Sequence, residues 1–237
     1  LEGPISLRGE NQGSKYSFRF QPRVVEGLAF AGFDVLSLAN NHIWDWGQDA
    51  LRDTIDILEE YGMQGVGAGR DRRRANEAVI VDVRGTSVGF LAYTNLYPEG
   101  LVAGEGYPGV SDFSRENILN SIRELSRDVD VVIVSMHWGV EYEVESNMYQ
   151  QELGRAFIDA GADFVIGHHP HVVQEIEEYH GGWIAYSLGN FVFDQNFSEE
   201  TMRGIALRVF LKTGEIDEVE VLKTIISDTY QVSFDME

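Results

Sequence analysis

The sequence predicts an α/β fold on three observations. Short apolar runs of strand type alternate with segments in which apolar residues recur at three- and four-residue steps, as on one face of a helix. A chain of 237 residues fits one large domain with a sizeable core. Polar clusters that contain five of the six histidines directly follow the apolar runs. Ligands in open α/β sheets bind outside the carboxyl ends of strands, so these clusters supply the candidate site residues.

Each predicted element has its own local signal. In chain order we predict a helix over 24–30, a strand over 34–38, a helix over 48–61, strands over 64–66, 78–83 and 87–93, a helix over 114–127, a strand over 131–135, a helix over 149–160, strands over 164–167 and 183–188, and an antiparallel pair over 205–211 and 218–222. The strands are apolar runs, and the helices have the amphipathic spacing. Arg84-Gly85-Thr86 predicts a hairpin turn, and the glycine-rich residues 97–112 predict a long loop.

Composition and charge exclude several classes of protein. The chain has 39 acidic and 18 basic residues and a formal net charge of −21, so we expect no nucleic-acid partner and repulsion from anionic membranes. It has no cysteine, which excludes a disulfide scaffold, a thiolate zinc site and a cysteine nucleophile. The sequence contains no apolar run of membrane-spanning length and no visible signal peptide. Leu1 is not an initiator methionine, so we expect an upstream segment.

Histidines follow two of the buried strands. His137 comes just after the strand over 131–135, and His169 and His171 follow the strand over 164–167. Side chains at i and i+2 of an extended segment share one face, and Pro170 favours extended geometry at His169. The two imidazoles could therefore approach one metal ion or two adjacent ions, because histidine is the commonest metal ligand. The alternative is a metal-free structural module with structural histidines.

Asn41, His42 and Asp45 follow the strand over 34–38 and suit a different task. An amide oxygen is a neutral metal ligand, and a neighbouring histidine can act as a general acid that protonates a leaving oxygen. A nearby carboxylate commonly orients such an imidazole. The alternative is that the asparagines only supply turn geometry. A site of histidine, asparagine and carboxylate without cysteine would suit Zn, Mn or Fe.

Four ordered motifs resemble those of a known family. Leu38-Ala-Asn-Asn-His-Ile-Trp-Asp-Trp-Gly47 resembles N-N-H-x-x-D-x-G, 136–142 resembles H-W-G-x-E-Y, 166–174 resembles G-x-H-P-H-V-x-Q, and 186–194 resembles S-L-G-N-F-V-F-D. Leu1-Glu2 resembles the end of an N-L-E motif. These are motifs of the CapA family of bacterial capsule (poly-γ-glutamate) biosynthesis proteins, which is similar to the calcineurin-like metallophosphatases.

The resemblance implies a more detailed fold than the residues themselves predict. It implies a four-layer α/β/β/α metallophosphatase-like sandwich, formed by a single CapA-like domain over residues 1–237. Calcineurin-like enzymes begin with a strand that ends in Gly-Asp, and this sequence does not contain it. We therefore expect the domain to be N-terminally incomplete here, without its first strand and without one aspartate ligand.

The resemblance also implies roles for individual residues. Two divalent metal ions would be held by five residues: Glu2, Asn41, His137, His169 and His171. Two residues would be catalytic, with His42 as the general acid and Asp45 as its partner. Three residues would lie near the site, where we predict substrate binding: Glu141, Gln174 and Asn190.

Two functions stay open at this point. The first is a CapA-like capsule or poly-γ-glutamate biosynthesis protein with a metal-dependent, phosphoesterase-type hydrolase site that acts on a phosphoester. The alternative is a non-catalytic accessory protein that binds anionic capsule polymer for its synthesis or export, in a capsule synthase complex. A net charge of −21 would require bridging cations for such binding. The resemblance also suggests a cell-surface or membrane-associated protein, attached through segments outside this sequence.

Overall fold

The computed structural model describes residues 1–97 and 100–235, which form two units. The first unit comprises Leu1–Val79 and Phe90–Ile118, and the second comprises Ile80–Gly89 and the chain from Leu119 onward. Residues 98 and 99 of the predicted loop lie outside the described residues. The single domain over 1–237 stays a prediction.

Helices and strands alternate over most of the chain. The helices are α1 (Val24–Ala31), α2 (Gly47–Glu60), α3 (Arg72–Asn76), α4 (Arg115–Leu125) and α5 (Met148–Asp159), with a 3-10 turn at Glu200–Met202. The strands are β1 (Val35–Ser37), β2 (Gln64–Val66), β3 (Ala68–Gly69), β4 (Val79–Val83), β5 (Thr86–Thr94), β6 (Gly109–Val110), β7 (Val131–His137), β8 (Phe164–His168), β9 (Ile176–Tyr179), β10 (Gly182–Ala185), β11 (Arg203–Lys212), β12 (Glu215–Ile226) and β13 (Val232–Phe234).

The first unit packs α2 against a small parallel sheet. β1 and β2 pair in parallel. Leu51, Ile55 and Leu58 lie on one face of α2 and are buried in one core with Leu36 of β1. Burial of each such side chain stabilises the unit by roughly 1.5–3 kcal/mol. The turn over residues 38–46, which joins β1 to α2, is thereby fixed at both ends.

The second unit contains most of a six-stranded sheet with the order β4-β5-β7-β8-β10-β9. β7, β8 and β10 run parallel to one another, and β9 pairs antiparallel with β10. In the register of β7 and β8, His137 stands opposite His168. The histidines that end these two strands therefore lie side by side.

The helix α5 begins with a capping box between Asn147 and Gln150, which satisfies two backbone amides at the start of the helix.

A second sheet of this unit joins β11, β12 and β13 in an antiparallel arrangement. The β11–β12 register shifts between Phe210 and Leu211, a local irregularity in a long hairpin. The pairing of β11 with β12 confirms the antiparallel pair predicted over 205–211 and 218–222, and both strands are longer than predicted.

The predicted α/β class is confirmed, as are the predicted hairpin of β4 and β5 and the helices that became α1, α2, α4 and α5. Within the predicted long loop over 97–112, the structure forms β6, a two-residue strand that pairs with β3 and was not predicted. Strands of two residues carry no periodicity, so their pairing depends on partners distant in sequence. β3 was not predicted for the same reason, and α3, β9 and β13 were not predicted either, since they are only five, four and three residues long.

Among the residues described, none of the helices combines the length and the apolar character needed to cross a membrane.

Candidate functional site

Two neighbouring parallel strands deliver histidines to one end of the second unit's sheet. β7 ends at His137, which is only 4% exposed, and β8 ends at His168, directly before His169. The rings of His137 and His169 have their centroids 4.9 Å apart. The structure thus brings together two residues that the sequence places 32 positions apart, because parallel strands end at the same edge.

The backbone at His169 and His171 is left-handed rather than extended. Their φ angles are 101° and 59°, which corrects the expectation that Pro170 keeps the pair in extended geometry. The two rings still converge, with centroids 6.0 Å apart. A non-glycine residue in such a region costs on the order of 1–3 kcal/mol and persists only where its surroundings hold it. Tyr142 is a third such residue, with φ 68°, and its N–H donates to the Pro170 carbonyl at 2.8 Å.

An exposed carboxylate joins this histidine pair. One ligand atom each from Glu141, His169 and His171 lies within 4.8 Å of the other two. Two imidazoles and a carboxylate form a donor set that suits zinc, manganese or iron. The residues present therefore fit a divalent metal ion. Glu141, which we predicted to bind substrate, lies among the candidate metal ligands.

Asn190 lies against His171. Its Oδ1 is 2.9 Å from Nδ1 of His171, and its Nδ2 donates to Oε1 of Gln195 at 3.2 Å and to the carbonyl of Thr201 at 3.0 Å. Asn190 is 4% exposed. Phe193 also packs on the His171 ring, with centroids 4.9 Å apart. These contacts give Asn190 a place beside a candidate ligand, and its role in substrate binding stays a prediction.

Gln174 is buried and bonded at both ends of its amide. Its Nε2 donates to the carbonyls of Glu143 and Glu145, and its Oε1 accepts from Gln150 of α5. The side chain thereby ties the 143–145 loop to the start of α5. These contacts give Gln174 a structural role, and its role in substrate binding stays a prediction.

Burial sets the protonation of the histidine at the end of β8. Desolvation lowers the pKa of His168 to about 4, so its imidazole is neutral at pH 7.

In the first unit, the turn after β1 holds a histidine–carboxylate pair. Nδ1 of His42 lies 2.8 Å from Oδ2 of Asp45, which is 2% exposed. Asp45 also accepts from Oγ of Ser14 at 2.7 Å and from the Phe18 N–H at 2.8 Å. The Phe18 and His42 rings have centroids 4.3 Å apart. A carboxylate only accepts hydrogen bonds, so Nδ1 of His42 carries a proton and the ring orientation is fixed.

Asn40 shapes the same turn. Its side-chain amide donates to the Leu1 carbonyl at 2.8 Å and accepts from the His42 N–H at 3.0 Å. The two predicted ligands beside it, Glu2 and Asn41, are half-buried residues of this unit. Their metal-binding roles stay predictions.

Sequence reasoning missed Ser14 and Phe18, which hold Asp45 in place. They lie 31 and 27 residues before it, in a polar segment with no periodic pattern, so no local signal identified them. Glu141 could be noticed in the sequence as a carboxylate four residues after His137. Its closeness to His169 and His171 could not be predicted from sequence spacing.

Known structures share this mixed α/β fold. A 5'-nucleotidase precursor from Thermus thermophilus aligns with a TM-score of 0.53 at 16% sequence identity, covering 87% of this chain and 43% of that one. At that identity the likeness concerns the fold alone. The fold is thus similar to that of a 5'-nucleotidase precursor.

Sequence comparison then identifies the family. Residues 1–195 match the family described as "Bacterial capsule synthesis protein PGA_cap". The "PGA biosynthesis protein CapA" of Bacillus subtilis (strain 168) is 39% identical over 224 residues, which are 93% of this chain and 59% of that protein. The "Capsule biosynthesis protein CapA" of Bacillus anthracis is 39% identical over 178 residues, 73% of this chain and 43% of that protein. The chain belongs to the PGA_cap (CapA) family, and it spans about half the length of these relatives.

Proposed function

We propose that this chain is a CapA-like capsule or poly-γ-glutamate biosynthesis protein with a metal-dependent, phosphoesterase-type hydrolase site. The observation that carries the proposal is the donor set of Glu141, His169 and His171, whose ligand atoms lie within 4.8 Å of one another. It occurs in a chain whose fold is similar to that of a 5'-nucleotidase. The fold likeness supports the proposal but does not establish activity.

The proposed centre holds two divalent ions, of Mn, Zn or Fe. His137, His169 and His171 are its proposed histidine ligands, and Glu141 is added from its place in the structure. Metal binding by Asn41 and Glu2 stays a prediction. When bound, such ions would act as Lewis acids on a phosphoryl oxygen. The four-layer sandwich belongs to the same proposal.

His42 is the proposed general acid. Asp45 fixes its Nδ1 proton through the 2.8 Å contact, so Nε2 is the nitrogen that gives a proton to a leaving oxygen. Hydrogen bonds from Ser14 and from the Phe18 N–H hold the buried carboxylate of Asp45, which in turn orients the His42 ring.

The test is hydrolysis of bis-p-nitrophenyl phosphate by the purified protein, with its metal content measured by mass spectrometry before and after Mn²⁺ is supplied. We expect bound metal and turnover that His42→Ala lowers by about 100-fold or more, because general acid catalysis contributes roughly 10²–10⁴-fold. His180→Ala is the matched control, since His180 is exposed and pairs with Asp159. Protein that binds no metal after Mn²⁺ or Zn²⁺ is supplied would refute the proposal.

A non-catalytic accessory role is the second candidate. The curated relatives carry names that refer to biosynthesis, not to hydrolysis. In this role the protein would bind anionic polymer through bridging cations, because a chain of net charge −21 repels a polyanion. A capsule synthase complex at the cell surface, reached through segments outside this chain, would be its setting. Metal binding without turnover of phosphoesters, combined with metal-dependent binding of poly-γ-glutamate, would favour this role.

A further inference from the structure

The side-chain amide of Asn190 can adopt only one orientation in this structure. The Thr201 carbonyl lies 3.0 Å from one end of that amide, and a carbonyl oxygen only accepts hydrogen bonds. The nitrogen Nδ2 must therefore face Thr201, where it also donates to Oε1 of Gln195. The oxygen Oδ1 is consequently the atom that faces His171.

This orientation decides where His171 carries its proton. Oδ1 of Asn190 is an acceptor 2.9 Å from Nδ1 of His171, so Nδ1 must donate. In the opposite tautomer two lone pairs would face each other between two buried side chains, and both groups would lose a hydrogen bond. A neutral His171 with its proton on Nδ1 has its lone pair on Nε2.

We propose that Asn190 is a positioning residue that holds the proton of His171 on Nδ1, so that Nε2 is the nitrogen available to a metal ion. The inference rests on the proposed metal centre, because it concerns one of its ligands. It gives Asn190 the task of orienting His171, whereas the sequence predicted that Asn190 contacts substrate.

The acceptors of Asn190 are themselves held in place. Thr201 is buried, and its Oγ1 donates to the carbonyl of Gln195 at 2.7 Å, which closes the loop over 195–201. Nε2 of Gln195 donates to the hydroxyl of Tyr142 at 3.3 Å, and the Tyr142 ring stacks near His171 with centroids 6.2 Å apart. The amide of Asn190 therefore sits in a closed network that includes both the loop and the histidine.

The test reads the tautomer directly, in metal-free protein labelled with ¹⁵N. Long-range ¹H–¹⁵N spectra distinguish a protonated ring nitrogen from one with a lone pair, and His171→Gln assigns the signals of His171 by their loss. At a pH where His171 is neutral we expect Nδ1 protonated and Nε2 unprotonated in the wild-type protein. An Nε2–H tautomer in the wild-type protein would overturn the inference, and this measurement needs no variant of Asn190 to fold.

Two variants test whether the tautomer of His171 affects metal binding. In Asn190→Ala we expect the preference for Nδ1–H to be lost and the affinity for Mn²⁺ or Zn²⁺, measured by calorimetry, to fall about 10–100-fold. Asn120→Ala is the matched control, because Asn120 is an exposed asparagine of α4; its tautomer at His171 should be unchanged and its metal affinity close to wild type. An unchanged tautomer in folded Asn190→Ala would also overturn the inference.

The outcomes separate this inference from the proposed function. If the wild-type protein binds neither Mn²⁺ nor Zn²⁺ but shows the Nδ1–H tautomer that Asn190→Ala loses, the metal centre fails and the positioning role stands. If metal binds and the tautomer is Nε2–H, the positioning role fails and the metal centre stands.

Discussion

The two units each contain a histidine whose Nδ1 lies within hydrogen-bonding distance of a buried oxygen, and the two oxygens differ in charge. In the first unit His42 contacts the carboxylate of Asp45 at 2.8 Å. In the second unit His171 contacts the amide oxygen of Asn190 at 2.9 Å. The geometry is nearly the same, but a carboxylate carries a negative charge and an amide does not.

The difference in charge suits the two histidines to different tasks. A carboxylate favours the imidazolium form, which a general acid needs in order to release a proton. A neutral amide fixes the tautomer without favouring the second proton, which suits a histidine that must offer a lone pair to a metal ion. The comparison therefore agrees with the proposed roles, proton transfer at His42 and metal binding at His171.

The largest effect should come from removal of a candidate ligand in the second unit. We expect His169→Ala to lower the affinity for Mn²⁺ or Zn²⁺ by more than about 100-fold, because loss of a ligand exceeds the roughly 10–100-fold effect of a supporting residue. Calorimetry on the purified variant measures this. His180→Ala should retain wild-type affinity, and equal affinities in both variants would show that His169 is not a ligand of the metal centre.

The next largest effect should come from removing the negative charge of Asp45, the partner of His42. Asp45→Asn makes the His42 pair resemble the His171–Asn190 pair. We expect ester hydrolysis to fall by about 100-fold or more while metal content stays the same, since general acid catalysis contributes roughly 10²–10⁴-fold. The rate of bis-p-nitrophenyl phosphate hydrolysis and metal analysis on one sample measure both. A parallel loss of metal would show that Asp45 does not act through proton transfer alone.

A smaller effect concerns the serine that holds Asp45. Ser14→Ala removes the 2.7 Å hydrogen bond to Oδ1 of Asp45 but leaves that of the Phe18 amide. One such bond contributes about 0.5–1.5 kcal/mol, so hydrolysis should fall roughly 2–10-fold. Ser233→Ala, at an exposed position of β13, provides the control for a serine replacement. Equal rates in the two variants would indicate that Asp45 keeps its orientation without Ser14.

The smallest effect should come from a carboxylate of the first unit that lies outside the pair. Hydrogen bonds from Arg8 chiefly, and from Ser6, lower the pKa of Asp53 on α2. Stability from this interaction is present above the ordinary pKa of aspartate, near 4, and is lost as pH falls through the lowered value. We expect Asp53→Asn to lower the free energy of unfolding by about 0.2–1 kcal/mol at pH 7. Denaturant unfolding at pH 7 and pH 2 measures it, and a difference that persists at pH 2 would contradict this account.

The sequence predicted the parts of the fold that depend on periodic patterns. The amphipathic spacing of Leu51, Ile55 and Leu58 predicted α2, and the apolar run before His137 predicted β7. Parallel strand ends then predicted that His137 and His169 would meet, which their ring distance of 4.9 Å agrees with. These inferences depend only on local pattern and on one rule for sheets.

Details that depend on distant contacts could not be predicted in this way. The proline before His171 indicated extended backbone, but the surrounding structure holds both histidines at positive φ. The partner of Asp45 at Ser14 lies 31 residues away, in a segment without a pattern. Gln174 was placed near the site by its motif, whereas its hydrogen bonds to Glu143 and Gln150 give it a structural task.

The left-handed backbone at His169 and His171 has a consequence for protein engineering. Glycine adopts positive φ without strain, whereas each histidine there costs the fold on the order of 1–3 kcal/mol. A selection for thermostability alone would therefore favour replacement of these two residues, and would yield a more stable protein without two of the candidate metal ligands. Stabilised versions of this chain should be screened for metal affinity in the same round, because gains in melting temperature at this segment come at the expense of the site.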